Sequence, residues 1–193
     1  MGTQEIKIPV ERIAVLIGKG GEQKKRIEDK LKIKIIVHSE DGDVEIFAED
    51  SVAVFEGMNI VKAIARGFNP EIAELLFNED YMFDLITVND FANNSKKTLM
   101  RLKGRVIGQE GKARKMIESM TNCHISVYGK TIGIIGKIED VPMARQATEM
   151  LLEGAPHGNV YRWLEDKKRE EIRRKFDEDL PSEKFILGKV YKC

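Results

Sequence analysis

Two short tetrads bracketed by glycine offer the most specific chemistry in this chain: Gly18-Lys19-Gly20-Gly21 and Gly108-Gln109-Glu110-Gly111. A tight turn of this kind between two helices presents backbone N–H groups where the second helix begins, and the helix dipole adds partial positive charge there. Such a turn attracts phosphate. Its glycines permit positive φ and lack the Cβ atoms that would hold a sugar-phosphate backbone away. Cations follow both turns, Lys24, Lys25 and Arg26 in one case and Lys112, Arg114 and Lys115 in the other, with Lys103 and Arg105 just before the second. Apolar residues near each turn (Val15, Ile17 and Ile35; Ile107 and Ile125) are suited to lining a groove for unstacked bases. The residues expected to touch a single-stranded nucleic acid are therefore Ile17, Gly18, Lys19, Gly20, Gly21, Lys24, Lys25 and Ile35. In the second half they are Arg105, Gly108, Gln109, Glu110, Gly111, Lys112, Arg114 and Lys115. One GxxG tetrad is a weak signal. Its strength here comes from recurrence in the same setting.

The elements that position these turns also recur, at an offset of 90 residues. Leu16-Ile17 falls on Val106-Ile107, Lys24 on Arg114, Lys25 on Lys115, and Ile27 on Ile117; Ile33, Ile35 and Val37 fall on Cys123, Ile125 and Val127. The chain reads as a duplicated unit. In the first copy, alternation predicts a strand over Glu5 to Val10, a short helix from Arg12 to Ile17, and a helix from Glu22 to Leu31. Strands over Ile33 to His38 and Val44 to Ala48 flank an Asp41-Gly42 turn, and a longer helix runs from Ser51 to Arg66, closed by Gly67. Asn69 and Pro70 suit the cap and first position of a further helix. In the second copy, strand Met82 to Val88 precedes helices Lys96 to Ile107 and Lys112 to Met120. Strands His124 to Tyr128 and Thr131 to Ile135, a helix from about Val141 to Leu152 and a last helix from Val160 to Phe176 complete it. The expectation is an α+β chain of two β-α-α-β-β-α units, each a three-stranded antiparallel sheet packed on helices, with extra helices after each. The units are placed at residues 1–79 and 80–193. Residues 177–193 read as a returning strand or an interaction tail.

Other chemistry is poorly supported. GKGG lacks the GxxxxGK[ST] spacing of a phosphate-binding P-loop, and no strand feeds directly into it. His38, His124 and His157 are scattered, and no carboxylates cluster to hold two metal ions, so neither metal nor cofactor is expected. Cys123 occupies an apolar strand position equivalent to Ile33 and reads as core rather than nucleophile. Trp163, beside Val160 and Leu164, reads as core before it reads as a stacking platform, and His157 as a capping or packing residue. Gly133 sits within a strand, where glycine marks a bulge or close packing.

Lys plus Arg number 32 and Asp plus Glu number 32, so the net charge is zero, which counts against an indiscriminate polyanion binder. The distribution is informative. Arg12 to Val37 holds eight basic and three acidic residues, and Ser95 to Lys115 holds eight and one. Both islands surround a GxxG turn, as a localised phosphate track requires. Apolar runs are far shorter than a bilayer demands, the N-terminus does not read as a secretory signal, and two cysteines make no disulfide framework. A reducing, cytoplasmic setting without a membrane partner is expected.

The motifs Leu16-Ile17-Gly18-Lys19-Gly20-Gly21 and Val106-Ile107-Gly108-Gln109-Glu110-Gly111 resemble those of type I KH domains. With Gly21-Glu22-Gln23-Lys24-Lys25-Arg26-Ile27-Glu28 and the stretch from His157-Gly158-Asn159-Val160-Tyr161 to Glu165, the chain resembles the archaeal two-KH ribosome-assembly factors of the partner-of-Nob-one family, close to the Dim and Krr types. The resemblance implies non-catalytic binding of single-stranded RNA near the 3′ end of small-subunit ribosomal RNA. It also implies contact with a Nob-type endonuclease and other assembly or translation factors. Two departures stand out. Lys24 and Arg114 occupy a position that is commonly isoleucine in KH domains, and Glu110 places a negative charge in the second turn. The competing reading is a protein-interaction scaffold in which one or both units bind assembly or translation factors instead of RNA.

Overall fold

A computed structural model describes residues 2–92 and 95–179. In the first half, strand β1 (Gly2–Lys7) leads to helix α1 (Val10–Ile17), a single tight turn over Lys19–Gly21, and α2 (Glu22–Leu31). Strands β2 (Lys34–His38) and β3 (Asp43–Ala48) follow, then the long α3 (Ser51–Ala65) and the short α4 (Pro70–Ala73), which continues as a 3₁₀ turn over Glu74–Phe77. The second half repeats the order with β4 (Tyr81–Thr87), α5 (Asn89–Ala92), α6 (Lys96–Ile107), a turn over Gln109–Gly111 and α7 (Lys112–Thr121). It ends with β5 (His124–Tyr128), β6 (Thr131–Lys137), α8 (Val141–Glu153) and α9 (His157–Asp179). Each half forms an antiparallel sheet with its last strand in the middle, β1-β3-β2 and β4-β6-β5. This is the expected α+β architecture.

Three local expectations need correction. The first strand lies three residues earlier than its alternation suggests, because Pro9 has no N–H to give a ladder and takes the N-cap position of α1, where its carbonyl accepts from Arg12 N at 2.8 Å. Asn69 stands at the N-cap of α4, but its side chain makes no capping hydrogen bond; Pro70 alone supplies the start signal. Helix α5 was not anticipated: four residues hold too little periodicity to read, and it is fixed by burial of Ala92. The expectation for the chain end falls mostly on residues 180–193, outside the described residues.

The helices that follow the two sheets, α3 and α8, end alike. After α3, Gly67 adopts φ +95° and Phe68 N donates to Ala63 O; after α8, Gly154 adopts φ +107° and Ala155 N donates to Met150 O. An arginine from the loop-bearing helix then takes two of the remaining carbonyls. Arg12 of α1 donates to Ile64 O at 2.8 Å and Phe68 O at 2.6 Å, while Arg105 of α6 donates to Leu151 O at 3.0 Å and Ala155 O at 2.6 Å. These arginines are not equivalent in the repeat. Leu102 aligns with Arg12, and Val15 with Arg105, so the same acceptors are reached from positions one helical turn apart.

The two sheets differ in what covers them. β3 alternates, with Val44 and Ile46 buried against the helices and Glu45 outward. β6 is buried from Thr131 through Gly136. Its Ile132 and Ile134 face the second core, and Ile135 joins the first, beside Phe68 and Leu76. The end of the first half is therefore seated on the outer face of the second sheet. Phe68 and Phe83 meet edge to face, with centroids 6.2 Å apart and planes at 88°. A Cβ at Gly133 would lie 2.6 Å from Phe68 Cε2, so the close-packing reading of this glycine holds and no bulge is present. Ser126 Oγ donates to Arg66 O at 2.9 Å, and the Tyr128 hydroxyl donates to the Glu11 carboxylate. Gly133→Val should therefore cost about 1–3 kcal/mol through overpacking, read as a lower urea midpoint; an unchanged midpoint would show that Phe68 is free to move aside.

Candidate nucleic-acid interface

Each turn interrupts a helix pair with nearly the same backbone. Gly18 has φ +74° and ψ 178°, and Gly108 has φ +72° and ψ 177°. Gly20 (φ +62°) and Glu110 (φ +54°) then take left-handed conformations, followed by Gly21 (φ +82°) and Gly111 (φ +77°). The first glycine of each tetrad is required by contact as well as by φ. A Cβ on Gly18 would stand 2.6 Å from Gln23 Cβ, and one on Gly108 would stand 2.6 Å from Ala113 Cβ. The last glycine is different, since nothing lies within 4 Å of an added Cβ at Gly21 or Gly111. That side of the turn is open to an approaching chain. Glu110 keeps the loop shape at a backbone cost of roughly 1–2 kcal/mol for a non-glycine residue, so the flanking glycines rather than the third residue set the geometry.

The side chains expected around the first turn converge only in part. Ile17, Gly21, Lys24 and Lys25 line a cleft of about 580 Å³ together with Glu28, Asp29 and Val37. Lys19 and Gly20 stand exposed at the tip. Ile35 does not reach the cleft: it is 1% exposed and belongs to the first core. Val37, two residues further along the same face of β2, takes the place at the rim that was expected of Ile35. In the second half Ile107 is 37% exposed beside its turn, whereas Ile125 is core. Gln109, Glu110, Lys112 and Lys115 are exposed around the loop. Arg105 must be withdrawn from the contact set, because its guanidinium is committed to the end of α8. Its own carbonyl accepts from His157 Nε2 at 2.8 Å, so that histidine ties α9 to α6 and carries its N–H on Nε2.

The cation at the unusual position after each turn has a structural partner. Lys24 Nζ lies 3.4 Å from Glu28 Oε1, and Arg114 Nε lies 3.7 Å from Glu118 Oε2. Glu28 Oε1 in turn accepts the backbone N–H of Ile35 at 2.8 Å, and Glu118 Oε1 accepts that of Ile125 at 2.8 Å. A commonly apolar position is thus converted into a cation–carboxylate–strand brace between helix and sheet, present in both halves. Neither glutamate was picked out from the sequence as part of the site. The signal was there in the Lys24-x₃-Glu28 and Arg114-x₃-Glu118 spacing, but it is indistinguishable from an ordinary surface pair until the strand N–H is located.

Cys123 is 2% exposed, and its Sγ donates to Thr121 O at 3.3 Å. Burial pushes its pKa up to about 11, the Thr121 hydrogen bond lowers it, and Asp140 raises it further. This is a packed thiol, not a nucleophile. Trp163 is partly buried against the second core. Among the described residues no three His, Cys, Asp or Glu side chains are placed to share a metal ion, and no helix is long and apolar enough to cross a membrane.

Residues 82–169 match the eukaryotic-type KH domain (KH-domain type I), and residues 3–62 match the KH domain. KH domain-containing protein MJ0443 of Methanocaldococcus jannaschii is 47% identical over 173 residues, covering 88% of this chain and 75% of that one. The pre-rRNA-processing protein pno1 of Aspergillus fumigatus is 27% identical over 165 residues, covering 82% of this chain and 66% of the relative, just under two thirds of its length. Among solved structures, a chain of the a/eIF2alpha-aDim2p-rRNA complex from Pyrococcus horikoshii OT3 superposes with a TM-score of 0.81 at 44% identity, covering 88% of this chain and 95% of that chain.

Two outcomes test the site as built. Glu28→Ala should cost about 1–3 kcal/mol by stranding the Ile35 N–H, and Glu28→Gln, which keeps an acceptor, should cost less, both measured by urea unfolding. In a Cys193→Ser background, Cys123 should stay silent to a chromogenic disulfide reagent at pH 8 and react only on unfolding; prompt native reaction would contradict the packed-thiol assignment.

Proposed function

The chain belongs to the two-KH-domain family of MJ0443, archaeal Dim2p and Pno1, and from that premise we propose that it is a single-stranded RNA-binding factor of small-subunit ribosome assembly. The observation that carries this reading is one loop backbone built twice, each time open at its last glycine and followed by exposed lysines. Phosphates sit against the turn and the start of α2 or α7, near Lys19 and Lys25 or Lys112 and Lys115. Bases turn toward Ile17 and Val37, or toward Ile107 in the second half. The acids Glu28 and Asp29 on the first cleft enforce this polarity, since they repel phosphate while leaving room for base edges. In the second half Ser119 replaces the acid equivalent to Asp29, which partly offsets Glu110 at the loop tip.

The proposed target is the 3′ end of small-subunit ribosomal RNA or its precursor; the rRNA-bound Pyrococcus horikoshii complex supports the coarser part of this, ribosomal RNA as the ligand. Two sites in one molecule raise affinity through effective concentration if both engage one strand. The protein works without catalysis: it holds the strand extended, and a Nob-type endonuclease supplies cleavage. A translation-factor partner of the a/eIF2alpha kind is supported by the same complex. Glu110 favours the competing reading for the second unit alone, as a protein-facing domain.

Binding to a labelled strand copying the ribosomal 3′ end, against a scrambled strand, decides between these readings. Lys19→Asp/Gly20→Asp reverses one charge and adds a second at the first loop tip, where nothing lies within 4 Å of a Cβ at Gly20, and Gln109→Asp/Glu110→Asp adds one negative charge at the second. Each should weaken binding tenfold or more, about 1.4 kcal/mol. Weak binding without sequence preference, indifferent to both changes, would leave the scaffold reading in front.

A further inference from the structure

The basic island before the second turn separates into committed and uncommitted cations. Lys103 Nζ donates to Gly129 O at 3.0 Å, and Arg105 caps α8. Lys96, Lys97 and Arg101 are exposed, and no carboxylate pairs with any of them among the described residues. Lys97, Arg101 and Gly104 follow one another at helical spacing on the solvent face of α6 and lead down to Gly108. Arg101 and Lys97 stand about 10 and 16 Å along the axis from that glycine, at about 1.5 Å per residue. Met100, 74% exposed, flanks the row. Gly104 is informative because an interior helical glycine costs roughly 0.5–1 kcal/mol relative to alanine, and nothing lies within 4 Å of an added Cβ. It serves no packing need and leaves a clearance between the cations and the turn.

The first half has no such row. The residues aligned with Lys97 and Arg101 are Lys7, paired with Asp43 at 3.4 Å, and Glu11, an acid that accepts from Tyr128. Among the described residues, only the second turn is therefore approached by unpaired positive charge from both sides, by Lys97 and Arg101 before it and by Lys112 and Lys115 after it.

We propose that the solvent face of α6 extends the RNA track of the second unit, holding phosphates of nucleotides that lie beyond those gripped by the Gly108–Gly111 turn. This rests on the RNA-binding reading above. The contact is electrostatic and indifferent to sequence, and it gives the second unit a longer footprint than the first. It also compensates for Glu110, whose repulsion weakens the turn itself.

The test compares Lys97→Ala/Arg101→Ala with the Gln109→Asp/Glu110→Asp loop variant on two probes, a twelve-nucleotide RNA copying the ribosomal 3′ end and a five-nucleotide core of it. Each lost phosphate contact removes about 0.7 from the slope of log affinity against log salt for a single strand. The helix variant should lose about 1.4 in slope and on the order of tenfold in affinity for the long strand, and nothing for the short one. The loop variant should weaken both. Unchanged slope and affinity in the helix variant, with loop-dependent binding intact, would overturn the extended track and leave the function standing. No binding of either probe by the unaltered protein would sink both.

Discussion

Strand β6 has helices on one face and the end of the first half on the other, and both can be accommodated because position 133 carries no side chain. The Phe68 ring takes up the space a Cβ would need, and Phe83 closes against its edge. Phe68 is itself held by the turn that ends α3, and its carbonyl is taken by Arg12. The next residue along α1 toward the N-terminus, Glu11, accepts from Tyr128 at the end of β5. The helix that carries the first loop is thereby braced on its own half through one side chain and on the second half through its neighbour. Since β5 is also the edge strand beside the second loop, the two candidate RNA sites share a mechanical frame. A chain with two flexibly tethered units would lose much of the gain from joining them, because the gain depends on how far each end must search.

Repetition made most of this legible. An offset of 90 residues marks both turns, both three-stranded sheets and the helix that follows each sheet, because the glycines and the strand periodicity survive in both copies. What escaped the sequence is tertiary. Arg105 looked like a free cation beside a phosphate turn, and only the approach of α8 shows that its guanidinium is used up. Ile35 and Val37 share a face of β2, and periodicity cannot say which lies under the helix and which at the rim. Gly133 was legible as a contact point but not what it contacts, since Phe68 lies in the other half of the chain.

The copies have diverged in a way that preserves geometry while changing chemistry. The carbonyls at the ends of α3 and α8 receive an arginine in each half, from positions one turn apart, with an apolar residue filling the vacated place. The third loop residue is glycine in one and glutamate in the other at nearly the same φ. Drift was tolerated where a side chain points to solvent or where an equivalent donor lies within reach. It was not tolerated where a Cβ would collide, as at Gly18 and Gly108.

The brace formed by Glu28 and Glu118 has a consequence for the company this protein keeps. β2 and β5 are edge strands, and an edge with free N–H groups is a template for any other extended polypeptide. In each half a carboxylate already occupies one outward N–H, and its charge repels the carbonyls that an incoming strand would bring. The cleft beside that edge can remain open without recruiting a second sheet, a foreign β-segment or another copy into an aggregate. Each of these edges is thereby a poorer template for an added peptide strand, which leaves the cleft beside it to a polymer that needs no ladder of backbone N–H groups.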